Sequence, residues 1–215
     1  MNTIFKTNRP FLFPYVLFIV LGAILLAIKT KIEIQLGFNS FHTSFFDTFF
    51  YYTTYLGDGT IAILVVIILL PIRYGYAFTV GFSNIISALI TQTLKQTVFV
   101  DAVRPKKFFE GIHDLYFVPG VENYLYNSFP SGHTTCAFSL YFALAVLVKN
   151  KVLKSLFFCI ALLIGYSRIY LSQHFFEDVY AGSLIGVITT ICVYYFIQKN
   201  EKNWMKGSLV KSFKS

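Results

Sequence analysis

Residues 167–197 read SRIYLSQHFFEDVYAGSLIGVITTICVYYFI. From Val179 to Ile197 no side chain is charged. A helix over that run is about 28 Å long, close to the thickness of a bilayer's hydrocarbon core. The reactive side chains Arg168, His174, Glu177 and Asp178 all precede it. The stretch therefore predicts a membrane-spanning helix with chemistry gathered at its mouth. Gly182 and Gly186, four positions apart, fit a small-xxx-small face for packing on a neighbouring helix.

Similar apolar runs recur through the 215 residues. Spans are expected near 11–28, 59–74, 75–94, 131–148, 152–167 and 179–197. The fold class is all-α: a six-transmembrane-helix bundle forming a single membrane domain over 1–215. Composition agrees. Hydrophobic residues make up 56%, aromatics 19% and charged residues 13% of the chain, against about 25% charged in a soluble domain. Such a chain has too little polar surface to clothe a water-soluble globule. Phe41, Phe45, Phe49, Tyr52 and Leu56 recur at helical spacing and predict an amphipathic helix lying in the membrane interface. Residues 96–130 form a long loop rich in Phe and Tyr, with Pro105, Pro119 and Pro130, expected to cap the bundle on one side. The first run lacks a small-x-small cleavage site and continues into Lys29 and Lys31, so a retained span is expected. Cys136, Cys159 and Cys192 lie in apolar runs at unrelated spacing; they read as inert thiols, with neither a disulfide framework nor a metal cluster.

The net charge of +8 would suit a nucleic acid, but its placement does not. Lys199, Lys202, Lys206, Lys211 and Lys214 follow directly on the last span, where basic residues act as topology signals. With the N-terminus inside, eleven Lys and Arg residues fall inside and seven outside. Nine of the ten acidic residues fall outside. Both termini and the basic tail 198–215 are expected in the cytoplasm, and no nucleic-acid partner is expected. No residue pattern speaks to oligomeric state.

Three polar clusters stand at span ends on the outer side, within 95–178. His174 and Asp178 are four apart, so a helix beginning near Phe175 brings them together. The carboxylate then fixes the imidazole tautomer and leaves the other nitrogen as a nucleophile. Taken alone, the pair reads first as a surface pair at a helix start, since such pairs are common. Pro130-Ser131-Gly132-His133 opens the fourth span as a capped helix start, which attracts anions through free backbone N–H groups. His133 there is placed to protonate a leaving alkoxide. Lys95, Arg104 and Arg168 supply positive charge, although lysine at a span end is more often a snorkelling anchor. Together, three cations, a helix N-terminus and two histidines suit phosphoryl transfer.

The pattern resembles the type 2 phosphatidic acid phosphatase family, whose motifs are Lys-x6-Arg-Pro, Pro-Ser-Gly-His and Ser-Arg-x5-His-x3-Asp. The second is intact at 130–133. The third is intact from Ser167-Arg168 through His174 to Asp178. The first departs: eight residues separate Lys95 from Arg104-Pro105. The resemblance implies His174 as nucleophile, Asp178 as its orienter and His133 as general acid. It implies phosphate binding by Lys95, Arg104, Ser131, Gly132 and Arg168, and no metal or other cofactor. Glu177, His42 and His113 read as interfacial residues. The expected activity is hydrolysis of a phosphate or diphosphate on a membrane lipid, with the site on the periplasmic face of a bacterial inner membrane. Undecaprenyl diphosphate, phosphatidic acid, phosphatidylglycerol phosphate and lipid A are candidate substrates. The alternatives are a phosphotransferase using the same residues and a non-catalytic lipid transporter or scaffold.

Overall fold

The structure, a computed structural model, describes residues 2–212. The described residues form helices and loops, with no strand. In chain order the helices are α1 (Asn2–Thr7), α2 (Arg9–Ile28), α3 (Lys31–Asn39), α4 (Ser44–Thr53), α5 (Gly59–Leu69), α6 (Tyr74–Thr97), α7 (Pro105–Phe108), α8 (Gly132–Leu147), α9 (Lys151–Tyr170), α10 (Phe176–Lys199) and α11 (Leu209–Ser212). Single 3₁₀ turns follow α4 at Thr54–Gly57 and α10 at Asn203–Lys206.

Four helices, α2, α6, α9 and α10, are long and apolar enough to cross a bilayer. They mark an integral membrane protein. The second expected span is revised. α5 has 11 residues and is about 16 Å long, too short to cross alone. The chain breaks where Asp58 caps α5 by accepting the Thr60 N–H at 2.8 Å, and α4 with its 3₁₀ turn meets α5 at a 54° bend. Taken together, that bent pair is long and apolar enough to count as a fifth span. The expected amphipathic helix is α4, which begins at Ser44, so Phe41 lies before it. Phe45, Phe49, Tyr52 and Leu56 are all exposed. α3 was not expected. A capping box starts it: Thr30 Oγ1 accepts the Glu33 N–H, and the Thr30 N–H donates back to the Glu33 carboxylate.

α8 is the hub. Apolar and small residues surround it on every side, and from Thr134 to Ala143 only Cys136 is not fully buried. A helix apolar all round belongs inside, away from both water and lipid. Phe138 and Phe142 pack on Phe11 and Tyr15 of α2. α10 approaches α8 over its two glycines. A Cβ on Gly182 would stand 2.7 Å from the Ser131 carbonyl, and one on Gly186 2.6 Å from the Thr135 carbonyl. The contact is possible only without side chains there, as the small-xxx-small spacing implied. The outer flanks of α2 and α6, among them Phe13, Leu17, Leu21, Phe82 and Leu89, are exposed and apolar.

Candidate active site

The N-terminus of α8, the C-termini of α6 and α9, and the start of α10 meet at one end of the bundle. Ser131 caps α8, its Oγ accepting from the Thr134 hydroxyl at 2.9 Å and from the Thr134 N–H at 3.4 Å. Gly132 follows, and a Cβ built on it meets nothing within 4 Å. The first N–H groups of a helix have no intrahelical partner; the Ser131 cap meets that of Thr134, which leaves those of Gly132 and His133. Ser131's own N–H is engaged: it donates to the Asp178 carbonyl at 3.0 Å. That bond ties the start of α8 to the start of α10.

α9 ends at Tyr170. Ser172 then adopts a left-handed conformation with φ 51°, which turns the chain so that Gln173 and His174 face inward. His174 and Asp178 are 2% and 1% exposed. Asp178 Oδ2 accepts three donors: the Ser128 hydroxyl at 2.5 Å, the Phe175 N–H at 3.0 Å and His174 Nδ1–H at 3.2 Å. Burial, and then the positive charges of Arg104, Arg168 and Lys95, hold His174 well below the ordinary histidine value. The ring is therefore neutral, and its contact with Asp178 is a hydrogen bond rather than an ion pair. With Nδ1 engaged, Nε2 is the nitrogen left to react.

The three cations are buried and converge. Lys95 Nζ donates to the Asn127 carbonyl at 2.8 Å. Arg104 Nη2 reaches the same carbonyl at 3.4 Å, its Nε donates to the Tyr126 carbonyl, and its Nη1 donates to the Gln173 carbonyl. The departure from the first motif's spacing thus leaves Lys95 and Arg104 side by side; the chain between them turns after Thr97. Burial also lowers Arg104 from its usual value, though a guanidinium stays charged in any protein interior. Arg168 donates to the Thr54 hydroxyl at 2.6 Å and to Gln173 Oε1 at 3.0 Å, while its buried Nε has no partner. Among the described residues none of the three forms an ion pair with a carboxylate. A buried cation held only by neutral acceptors leaves much of its desolvation cost uncompensated. Three together, beside a helix N-terminus, make a seat for an anion.

His133 follows Gly132 on α8. Its backbone carbonyl lies 3.0 Å from the position of a Cβ on Gly57, and its side chain borders a groove shared with Asp58. The groove, about 510 Å³ in volume, continues between α5 and α6 past Ala62, Val66, Ile85 and Ala88. The remaining residues considered from the sequence lie elsewhere. Glu177 pairs with Lys31, and His42 with Asp47. Among the described residues no group of three His, Cys, Asp or Glu side chains stands together as a metal site would require. Ser128, Asn127, Gln173 and Thr54 were not singled out from the sequence. Only Gln173 carried a signal there, a polar residue directly before His174 in an apolar segment.

A family model described as the PAP2 superfamily matches residues 76–202, more than half the chain and the whole run of candidate residues from Lys95 to Asp178. The chain belongs to the PAP2 superfamily. Among PAP2 and related sequences, it is 35% identical over 79 residues to the bacitracin transport permease protein BcrC of Bacillus licheniformis, a match covering 37% of this chain and 38% of that one. It is 32% identical over 80 residues to the lipid A 4'-phosphatase of Porphyromonas gingivalis, covering 37% of this chain and 34% of that one. The matches thus span little more than a third of each relative. The crystal structure of Aquifex aeolicus LpxE superposes with a TM-score of 0.68 at 28% identity, covering 76% of this chain and 94% of that one. A Bacillus subtilis transmembrane PAP2-type phosphatidylglycerolphosphate phosphatase gives 0.63 at 23% identity, covering 93% and 99%. At that identity the likeness speaks for the fold alone.

Proposed function

We propose that the protein is an integral membrane phosphatase that removes phosphate, or the terminal phosphate of a diphosphate, from a membrane lipid through a phosphohistidine on His174. One observation carries this reading: three buried cations without carboxylate partners surround a neutral imidazole oriented by Asp178. Lys95, Arg104 and Arg168, with the Ser131 hydroxyl and the Gly132 N–H, hold the phosphoryl oxygens. His174 Nε2 attacks phosphorus in line as the bond to the leaving oxygen breaks, and His133 gives that oxygen its proton. Water then attacks phosphorus as the P–N bond to His174 breaks, and His133 takes a proton from the water. Inorganic phosphate leaves and both histidines return to their starting states. The cations offset charge on the equatorial oxygens in both steps.

The groove beside His133 supports a lipid substrate, since a leaving group held there extends its tail along apolar α5 and α6. In this reading α2, α5, α6, α8, α9 and α10 are the six spans, with α4 bent into the interface and 96–130 as the cap. The Lys and Arg count supports a periplasmic cap and cytoplasmic termini. The lipid A 4'-phosphatase relative keeps lipid A among the candidates, beside undecaprenyl diphosphate, phosphatidic acid and phosphatidylglycerol phosphate. Purified protein assayed on all four, with His174→Ala as blank, tests the proposal. Vanadate, which mimics the trigonal phosphoryl group, is expected to inhibit, and chelators to have no effect. Phosphate release that survives His174→Ala would sink the catalytic reading. Phosphate appearing on an added acceptor instead of in solution would make the protein a phosphotransferase.

A further inference from the structure

The opposite end of the bundle holds a second cationic cavity. It lies among the start of α2, the α8–α9 turn, the start of α6 and the end of α10, and its volume is about 860 Å³. Lys6, Arg9, Arg73, Lys149, Lys151 and Lys154 line it. Arg73 pairs with Glu201; the other five form no ion pair with a carboxylate among the described residues. Lys154 decides the matter. It is 3% exposed, and its ammonium donates to the neutral Oδ1 of Asn8, itself 2% exposed. Snorkelling anchors reach outward to water, whereas this lysine is turned inward onto the floor of a cavity. α8 separates the cavity from the candidate active site by about 24 Å: Gly132 opens one and Leu147 lines the other.

Ile4, Val146, Leu147 and Ile191 form apolar wall beside the cations. A small hydrophilic ion gains nothing from such a wall, whereas an amphiphile uses both surfaces. We propose that this cavity binds the phosphate headgroup of an anionic phospholipid in the leaflet opposite the active site. Lys154 and Arg9 meet the phosphate, and Lys149 and Lys151 close over it from the α8–α9 turn. The site is separate from the chemistry at His174 and stands or falls independently of it.

Native mass spectrometry of the full chain in detergent, titrated with phosphatidylglycerol or phosphatidylcholine, tests this. Phosphatidylglycerol is expected to remain bound and phosphatidylcholine to dissociate. The triple variant Arg9→Gln, Lys149→Gln, Lys151→Gln replaces exposed side chains and is expected to weaken phosphatidylglycerol retention at least tenfold, since each basic residue lost removes attraction to an anionic lipid. Phosphate release from a lipid substrate is expected to stay unchanged, which reports correct folding. Where the triple variant fails to insert, Lys149→Gln alone is read the same way, with a smaller loss. Equal retention of both lipids, or of phosphatidylglycerol by wild type and variant, would overturn the proposal. Displacement of the lipid by millimolar inorganic phosphate would overturn the headgroup assignment in favour of the free ion.

Discussion

Replacing Asp178 by Asn leaves the shape of the site intact and removes one charge. The amide oxygen can still face the three donors that converge on Asp178 Oδ2, from Ser128, Phe175 and His174, so the imidazole keeps its orientation. The loss falls on the phosphorylated state. Once Nε2 bonds to phosphorus the ring becomes cationic, and Nδ1 stands 3.2 Å from the carboxylate oxygen. At that separation two unit charges attract by about 5 kcal/mol at an effective dielectric constant near 20. Ser128 and Phe175 share the same oxygen and blunt its charge. Halving the figure leaves about 2.5 kcal/mol, or a roughly 70-fold fall in the rate of phosphoryl transfer. The assay is single-turnover phosphate release from a lipid phosphate in mixed micelles, with kcat and KM measured separately. Asp178 does not touch the phosphate in the proposed mechanism, so KM is expected to change little. An Asn variant with unchanged melting temperature and a kcat within threefold of wild type would refute the charge-stabilising role of Asp178. So would a loss confined to KM.

The pH dependence follows from His174. Falling pH protonates the ring and removes its lone pair; because the ring is held below the ordinary value, that loss comes late. The acid limb of kcat/KM is expected below about pH 6.5. Arg104→Gln removes a neighbouring positive charge and is expected to move the limb upward, and a downward move would contradict the assignment. Ser128→Ala deletes the shortest of the three donors to Asp178 and is expected to cost about 1.5–3 kcal/mol, divided between stability and kcat as read by thermal unfolding and steady-state rates. Gln173→Leu frees the inner edges of Arg104 and Arg168 and is expected to raise KM more than it lowers kcat. Gly186→Ala is expected to lower stability by about 1–3 kcal/mol through overpacking on α8. Gly182→Ala, which presses on the Ser131 carbonyl, is expected to lower activity as well. Thermal midpoints and rates on the two variants separate the effects.

Most of the bundle was legible because lipid leaves charge-free runs in the sequence, and such runs gave α2, α6, α9 and α10 nearly to their ends. What the runs conceal is where a helix breaks. The stretch before Arg73 is apolar throughout, yet α5 stops at Leu69, and its upstream half is α4 across the bend at Asp58. α3 escaped notice although Thr30 and Glu33 carry a capping box, because its residues are too mixed to read as a span. At the site, spacing singled out the charged and titratable groups that the structure gathers at one end of the bundle, the residue types that the proposed phosphoryl transfer needs. The neutral groups that aim them were not legible. Ser128, Asn127 and Thr54 are ordinary polar residues in aromatic surroundings, and all three act on residues far away in the chain. Lys95 shows the reverse case: its spacing is irregular in sequence, and a turn after Thr97 absorbs the difference.

The bond from the Ser131 N–H to the Asp178 carbonyl joins two main chains, not two side chains. It sets the gap between the cation cluster and His174 through backbone rather than side chains, and the bare glycine at 182 lets the two helices close up to make it. The gap then works like a fixed jaw. In the proposed mechanism, side chains lining the groove can change to suit one lipid tail or another while the reach from His174 to the phosphorus atom stays the same.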